Sequence, residues 1–261
     1  LYFDKFSAME PSHYTFIMLA ALLRLRLEDK TDTAFFDANR ATFINHFTKG
    51  LITVKTKLNC HLYVASKIFL NFLNEDDAKT SLLPAIQRWM LRNPETILEG
   101  VEYILQGLNF DINEHGLDIA KILIQNLFAK NDENRSYAMS AIKEFALKCS
   151  SPKCIETMLS QIFAVLNGSE GKITVAEYRI SLLQGAGNLS LNKVDDEQKS
   201  AMMPSISDNF IKVLDAEIQE KVLTHGLEMF GLWSMSFKGE LDAKILKWFK
   251  KGLESKSQAV K

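Results

Sequence analysis

Along most of the chain, apolar residues recur at spacings of three and four, and short polar breaks interrupt them. That period belongs to helices with one buried face. Residues 117–149 show it most clearly. Leu117, Ile119, Ala120, Leu123, Ile124, Leu127 and Phe128 form one stripe, residues 129–134 are polar, and Tyr137, Ala138, Ala141, Ile142, Phe145 and Ala146 resume the stripe. The pattern predicts two helices around a tight turn. Asn131 or Asp132 caps the second helix, and Asp132 and Glu133 suit its positive end. Ala138 and Ala141 let a neighbour approach closely. With Arg135 in its first turn, this antiparallel pair resembles the unit of a HEAT-type repeat. One such pair cannot bury both of its faces, so it needs similar pairs on either side.

The rest of the chain supplies them. A first helix is predicted over 12–27, with Phe16, Leu19, Ala20, Leu23 and Leu27 inward and Pro11 at its start. After a break at 29–32, where Thr31 or Asp32 can cap, a helix runs to Thr48 with Phe35, Phe36, Phe43, Ile44 and Phe47 inward. Lys49-Gly50 closes it. Residues 51–58 alternate like a strand, but a lone strand has no partner, so they are assigned to a helix start or an extended connection. Helices follow over 58–73 and 75–91, the second capped by Asn74 and kinked by Pro84. Asn93 and Pro94 open a helix over 95–108. Beyond the 117–149 pair, Ser151 and Pro152 open a helix over 153–166, and 167–171 is a loop. Helices over 173–191, 194–213, 216–235 and 239–253 complete the chain, with Gly185 and Gly187 as close-packing points and Pro204 inside its helix.

The expected fold is all-α, a HEAT/armadillo-like α-solenoid of about five to six antiparallel pairs with a period near 40 residues. Two landmarks fit that period: Asp132 and Asp215, 83 residues apart, and Pro84 and Pro204, 120 apart. The array is expected to be single and continuous over 1–261. Leu1 in place of Met, and a tail that reads like the start of another helix, mark it as a piece of a longer protein.

Composition narrows the class. Apolar content of 47% in 261 residues is globular, and 5 prolines with 12 glycines leave few helix breakers. A net charge of −1 argues against a general nucleic-acid-coating surface, and no DNA partner is expected. No uncharged apolar run reaches the roughly 18 residues needed to span a membrane. Cys60, Cys149 and Cys154 make no CxxC pair, which fits a reducing compartment, expected to be the cytoplasm.

Candidate chemistry is sparse. His13, His46, His61, His115 and His225 are scattered, and none has a second ligand at helical spacing. No metal or cofactor is expected, and no enzyme. Gly168-Ser169-Glu170-Gly171-Lys172 imitates a phosphate loop, but only two residues separate the glycines and Ile173 follows the lysine. One charge feature is distinctive. Lys238, Lys244, Lys247, Lys250, Lys251, Lys256 and Lys261 crowd the C-terminal end around Trp248 and Phe249, against only Glu240, Asp242 and Glu254. The plain interpretation is a solvated helix face with Trp248 inward. The sharper one is an anion-facing patch formed by Lys244, Lys247, Lys250 and Lys251, for RNA phosphate or an acidic partner.

Three stretches resemble a known family. Leu83-Pro84-Ala85-Ile86-Gln87-Arg88 with Leu91-Arg92-Asn93-Pro94-Glu95, then residues 162–175 around Gly168-Ser169-Glu170-Gly171-Lys172, then Leu246-Lys247-Trp248-Phe249-Lys250-Lys251 are similar in order and spacing to N-terminal motifs of the general control non-derepressible translational activators, which are giant HEAT-repeat proteins. The likeness runs from about residue 60 to the end, and Asn167 departs from it where the family carries glycine. It implies a non-enzymatic scaffold that binds translating or collided ribosomes. It further implies an ATP-binding-cassette partner and the starvation-responsive initiation-factor kinase as partners of the whole protein, both bound outside this stretch. No catalytic residue is carried over. The alternative is a general protein-binding HEAT solenoid of the transport-receptor or chromosome-scaffold type.

Overall fold

A computed structural model describes residues 13–28, 34–53, 60–169, 171–239, 241 and 243–254. Every regular element among them is helical. The expectations for Pro11, for the 29–32 break and for residues 54–59 fall outside the described residues. So do Lys256, Lys261 and the side chains of His13, Phe16, Leu27, Cys60, His61 and Leu62. The chain divides into two compact units, Leu1–Asp111 and Ile112–Lys261.

The first unit holds α1 (His13–Glu28), α2 (Ala34–Ala38), α3 (Arg40–Thr53), α4 (Cys60–Phe72), α5 (Glu75–Asp77), α6 (Leu83–Arg92) and α7 (Pro94–Gly107). One row is α1, α4 and α7; the other is α3 against α6. Leu19, Leu23, Phe43, Phe47, Phe69, Ile86, Trp89 and Val101 are buried between them. Phe47 lies flat on Phe69, with ring centroids 4.9 Å apart.

Four local expectations are corrected here. The single helix expected to end at Lys49-Gly50 is two. Asn39 folds its amide back on Phe35 O (2.7 Å) and offers its own carbonyl to Phe43 N (3.1 Å), which opens α3. That break leaves Phe35 39% exposed instead of inward. α3 then runs through Gly50 to Thr53. Before Pro84 the structure has a π-turn over Ala78–Leu82 in which Leu83 N donates to Ala78 O. The wider turn makes room for a ring that would crowd the carbonyl four residues back. Asn74 caps as expected, with a full capping box to Asp77, whereas Asn93 sits at its cap position without a side-chain cap bond.

The second unit holds α8 (Leu117–Asn126), α9 (Asp132–Ala146), α10 (Pro152–Leu166), α11 (Ala176–Asn188), α12 (Asp196–Ala216), α13 (Glu220–Met235) and α14 (Ala243–Leu253). α8, α10, α12 and α14 form one row, and α9, α11 and α13 the other. The α8–α9 turn is built as its residues predict. Asn131 Oδ1 accepts from Glu133 N (2.9 Å) and Asn134 N (3.3 Å). Arg135 Nη1 closes the turn on Ala129 O (2.8 Å) and Lys130 O (3.0 Å). Ser151 caps α10, and all five inward positions expected there, Ile155, Met158, Leu159, Ile162 and Val165, are buried. Gly185 and Gly187 admit neighbours closely: a Cβ on them would lie 2.6 Å from Leu127 Cδ1 and 2.2 Å from Met229 Sδ.

Three helix starts shift by three or four residues: α11 begins at Ala176, α13 at Glu220 and α14 at Ala243. The delay at α13 follows from Glu217, whose Oε1 accepts from Ile218 N (3.0 Å) and Gln219 N (2.9 Å) and so makes its own turn. In consequence Asp215 belongs to the last turn of α12, while Asp132 opens α9, so their spacing is not a repeat. The prolines do correspond in chain order: counting 75–92 as one continuous helix, Pro204 in α12 comes three helix pairs later.

The period is written directly in side-chain bonds. Arg40 Nε donates to Asp77 Oδ2 (3.0 Å), 37 residues on, and its Nη2 holds Phe72 O (2.9 Å). Arg179 Nε donates to Glu217 Oε2 (2.6 Å), 38 residues on, and its Nη1 holds Leu166 O (3.2 Å). Each arginine thus clasps the turn of the next pair. The fold is an α-solenoid of antiparallel pairs.

Candidate functional site

α14 has one buried arc. Ile245, Trp248 and Gly252 are buried. Phe249 stacks on Phe230 (5.6 Å), Phe230 on Phe210 (5.2 Å), and Phe210 meets Phe163 edge to face (5.0 Å). Four rings from α14, α13, α12 and α10 therefore anchor the helix. Its other side carries the predicted lysines. Lys244, Lys247 and Lys251, at i, i+3 and i+7, share a face, and Lys250 lies about 60° round from Lys247.

Their surroundings differ. Lys244 Nζ reaches Asp208 Oδ1 at 3.2 Å. Lys250 is 3.9 Å from Glu254. Lys251 Nζ stands 4.0 Å above the Trp248 ring, a cation–π contact that fixes its direction. Lys247 is exposed and has no ion-pair partner among the described residues. Lys250 and Lys251 also suit the negative end of the helix. Exposed pairs contribute roughly 0–1 kcal/mol each, so an incoming phosphate or carboxylate can take these ammonium groups over. Lys238 stands apart: it precedes α14 and binds Asp196 at 2.6 Å. That bond and its charge hold the Asp196 carboxyl below the usual range and raise the Lys238 ammonium.

Among the described residues, Cys149, Cys154 and His46 lie inside the fold. Cys149 and Cys154 are buried beside each other; the contact with Cys149 and burial push the Cys154 thiol far up. Cys154 Sγ donates to Asn113 O at 3.3 Å. His46 is buried, and His225 Nδ1 faces Lys221 O at 3.0 Å. Among the described residues no three His, Cys, Asp or Glu side chains gather as metal ligands. The glycines of the 167–171 loop stand at φ 95° and 92°, so they serve the turn, which a helix precedes. One feature escaped sequence reasoning, a cleft of about 240 Å³ over α9, α11 and α13 lined by Asp132, Arg135, Met139, Glu177, Lys221 and His225. Its walls come from three distant stretches, so no local motif announces it.

The motif stretches occupy α6 with the start of α7, the end of α10 with its loop, and α14. A family model described as stalled ribosome sensor GCN1 N-terminal matches residues 40–173. The chain belongs to this family. Over 262 aligned positions it is 29% identical to the stalled ribosome sensor GCN1 of Mus musculus, covering 100% of the chain. It is 27% identical to the Homo sapiens protein of the same name over 98% of the chain, and 25% identical to Protein ILITYHIA of Arabidopsis thaliana over 90%. The chain spans about a tenth of these relatives, 10%, 10% and 9% of their lengths. No solved structure matches it. α14 lies beyond the matched stretch of the GCN1 family model but within the mouse alignment. No described helix is long and apolar enough to cross a membrane.

Proposed function

We propose that this GCN1-family stretch is a non-enzymatic scaffold segment, one HEAT array over 1–261, that helps the whole protein grip ribosomes in the cytoplasm. Lys244, Lys247, Lys250 and Lys251 of α14 face an anionic part of the ribosome. The observation that carries this is the pairing of family membership with an outward lysine face on a helix locked by four rings. The relatives carry the name stalled ribosome sensor. The segment acts by position and charge, and partners such as an ATP-binding-cassette protein and the starvation kinase engage other parts of the protein.

Pelleting the chain with purified ribosomes over a salt series tests the contact. Association that falls steeply with salt is expected, and weakened association for Lys244→Glu with Lys251→Glu. Absence of pelleting even at low salt removes the reading.

A further inference from the structure

The cleft of about 240 Å³ lies within the second unit, across α9, α11 and α13. Met139 and Ile180 give it apolar surface, and Asp132, Glu177, Lys221 and His225 give it a polar rim. Lys221 leans back from α13 to within 3.6 Å of Glu177 on α11. The opening is therefore on the flank of α13 that faces earlier helices. A further pair stacked beyond α14 would meet the opposite flank and leave it open.

The rim is polarised along its length. On α9, Asp132 Oδ1 accepts from Glu133 N (3.0 Å), and no cationic side chain pairs with it among the described residues. On α11, the Glu177 carboxyl is held below the usual range by its own backbone amide, then by the charges of Lys221 and Arg135. One carboxylate thus answers two cations, and Arg135 Nη1 is also engaged in the α8–α9 turn. Lys221 and Glu177 are 64% and 55% exposed, so their pair is weak and yields to an incoming carboxylate. One end of the cleft presents an unanswered carboxylate, the other an ammonium in surplus, and apolar surface lies between.

A phosphodiester chain would face two carboxylates here. The volume falls short of the roughly 300–1,000 Å³ of small-molecule sites, but it suits one side chain of a longer ligand. Neighbouring helices pack about 8–10 Å apart, so roughly five or six extended residues, at about 3.3 Å each, cross from α9 to α13. We propose that this cleft binds an extended peptide of a partner protein, with an apolar side chain seated on Met139 and Ile180, a basic residue toward Asp132 and an acidic residue toward Lys221. The site is separate from the α14 contact and stands without the ribosome reading.

The test selects displayed random peptides, about seven residues long and so able to cross the cleft, on the immobilised chain. Asp132→Asn and Lys221→Met serve as the comparison variants. Asparagine keeps an oxygen for the Glu133 amide, and Lys221 is exposed, so both variants keep the fold, checked by circular dichroism and melting. The wild-type chain should enrich peptides in which a basic and an acidic residue flank an apolar one. A synthesised winner should shift the Met139 methyl signal of the methionine-labelled chain and bind each variant about fivefold or more weakly. Lys221→Met should also lose the preference for the acidic residue, and Asp132→Asn that for the basic one. No enrichment above background overturns the proposal. So does a winner that both variants bind like wild type, or one that leaves the Met139 methyl unmoved.

Discussion

Arg179 donates from Nε to Glu217 Oε2 at 2.6 Å, joining the start of α11 to the turn before α13. Both side chains are almost enclosed, at 13% and 5% exposure. Removing one partner of such a pair strands the other charge. Glu217→Ala should therefore destabilise the chain by about 3 kcal/mol, read as a lower urea midpoint. It also frees the amides of Ile218 and Gln219 that the same carboxylate accepts. A near-neutral result would show that the clasp contributes little beyond what water supplies.

Phe145 is fully buried, and a Cβ on Gly116 would lie 2.5 Å from its Cε2. Phe145→Ala should cost about 3–5 kcal/mol through lost transfer energy and the cavity left behind. Gly116→Ala, which presses a methyl into a rigid ring, should cost about 1–3 kcal/mol. Equilibrium denaturation of the two single variants checks both the size and the order.

Replacing Lys244 and Lys251 with glutamine removes two charges without reversing them. If they face phosphates, the slope of log affinity against log salt should become shallower by roughly 1.5, at about 0.7–0.9 per contact. The melting temperature should fall by no more than a few degrees, because Lys244 and Asp208 are both well exposed. An unchanged slope would leave the lysines as solvent-facing residues only.

Asp196 is the group to follow with pH. Its carboxyl is held low first by the hydrogen bond from Lys238 and then by that charge. A lowered carboxyl contributes stability that is present above the unfolded value, near 3.9, and is lost as pH falls through the lower folded value. Lys238→Met should return Asp196 toward the ordinary range, seen as a rightward shift of its titration in carboxyl-detected NMR.

The cysteines make a chemical prediction. Cys149 and Cys154 are both at 0% exposure, and the Cys154 thiol is pushed up by contact with Cys149 and by burial. Thiolate is the reactive form, so neither should alkylate in the folded chain at pH 8, and both should do so in urea. Mass spectrometry of tryptic peptides distinguishes the two; rapid native labelling of Cys154 would contradict its placement.

Helical periodicity and cap residues were enough to place most of the pairs. Asn131, Ser151 and Asn74 each do at their helix starts what side-chain chemistry predicts. Boundaries failed where a side chain competes locally with the backbone, as Asn39 and Glu217 do, because apolar spacing is blind to such bonds. That Pro84 disturbs the regular turn was legible, but the π-turn was not, since it depends on how the preceding turn absorbs a missing amide. The lysine face was visible from spacing alone. The exposure of Leu246 and Leu253 beside it was not, because the sequence shows which residues are apolar but not which of them face inward.

The ring-on-ring line from Phe249 through Phe230 and Phe210 to Phe163 has a mechanical meaning. A tug on the outer side of α14 does not stop at that helix. It loads, one after another, two stacked contacts and one edge-to-face contact, so force entering at the lysines is passed to rings on four helices.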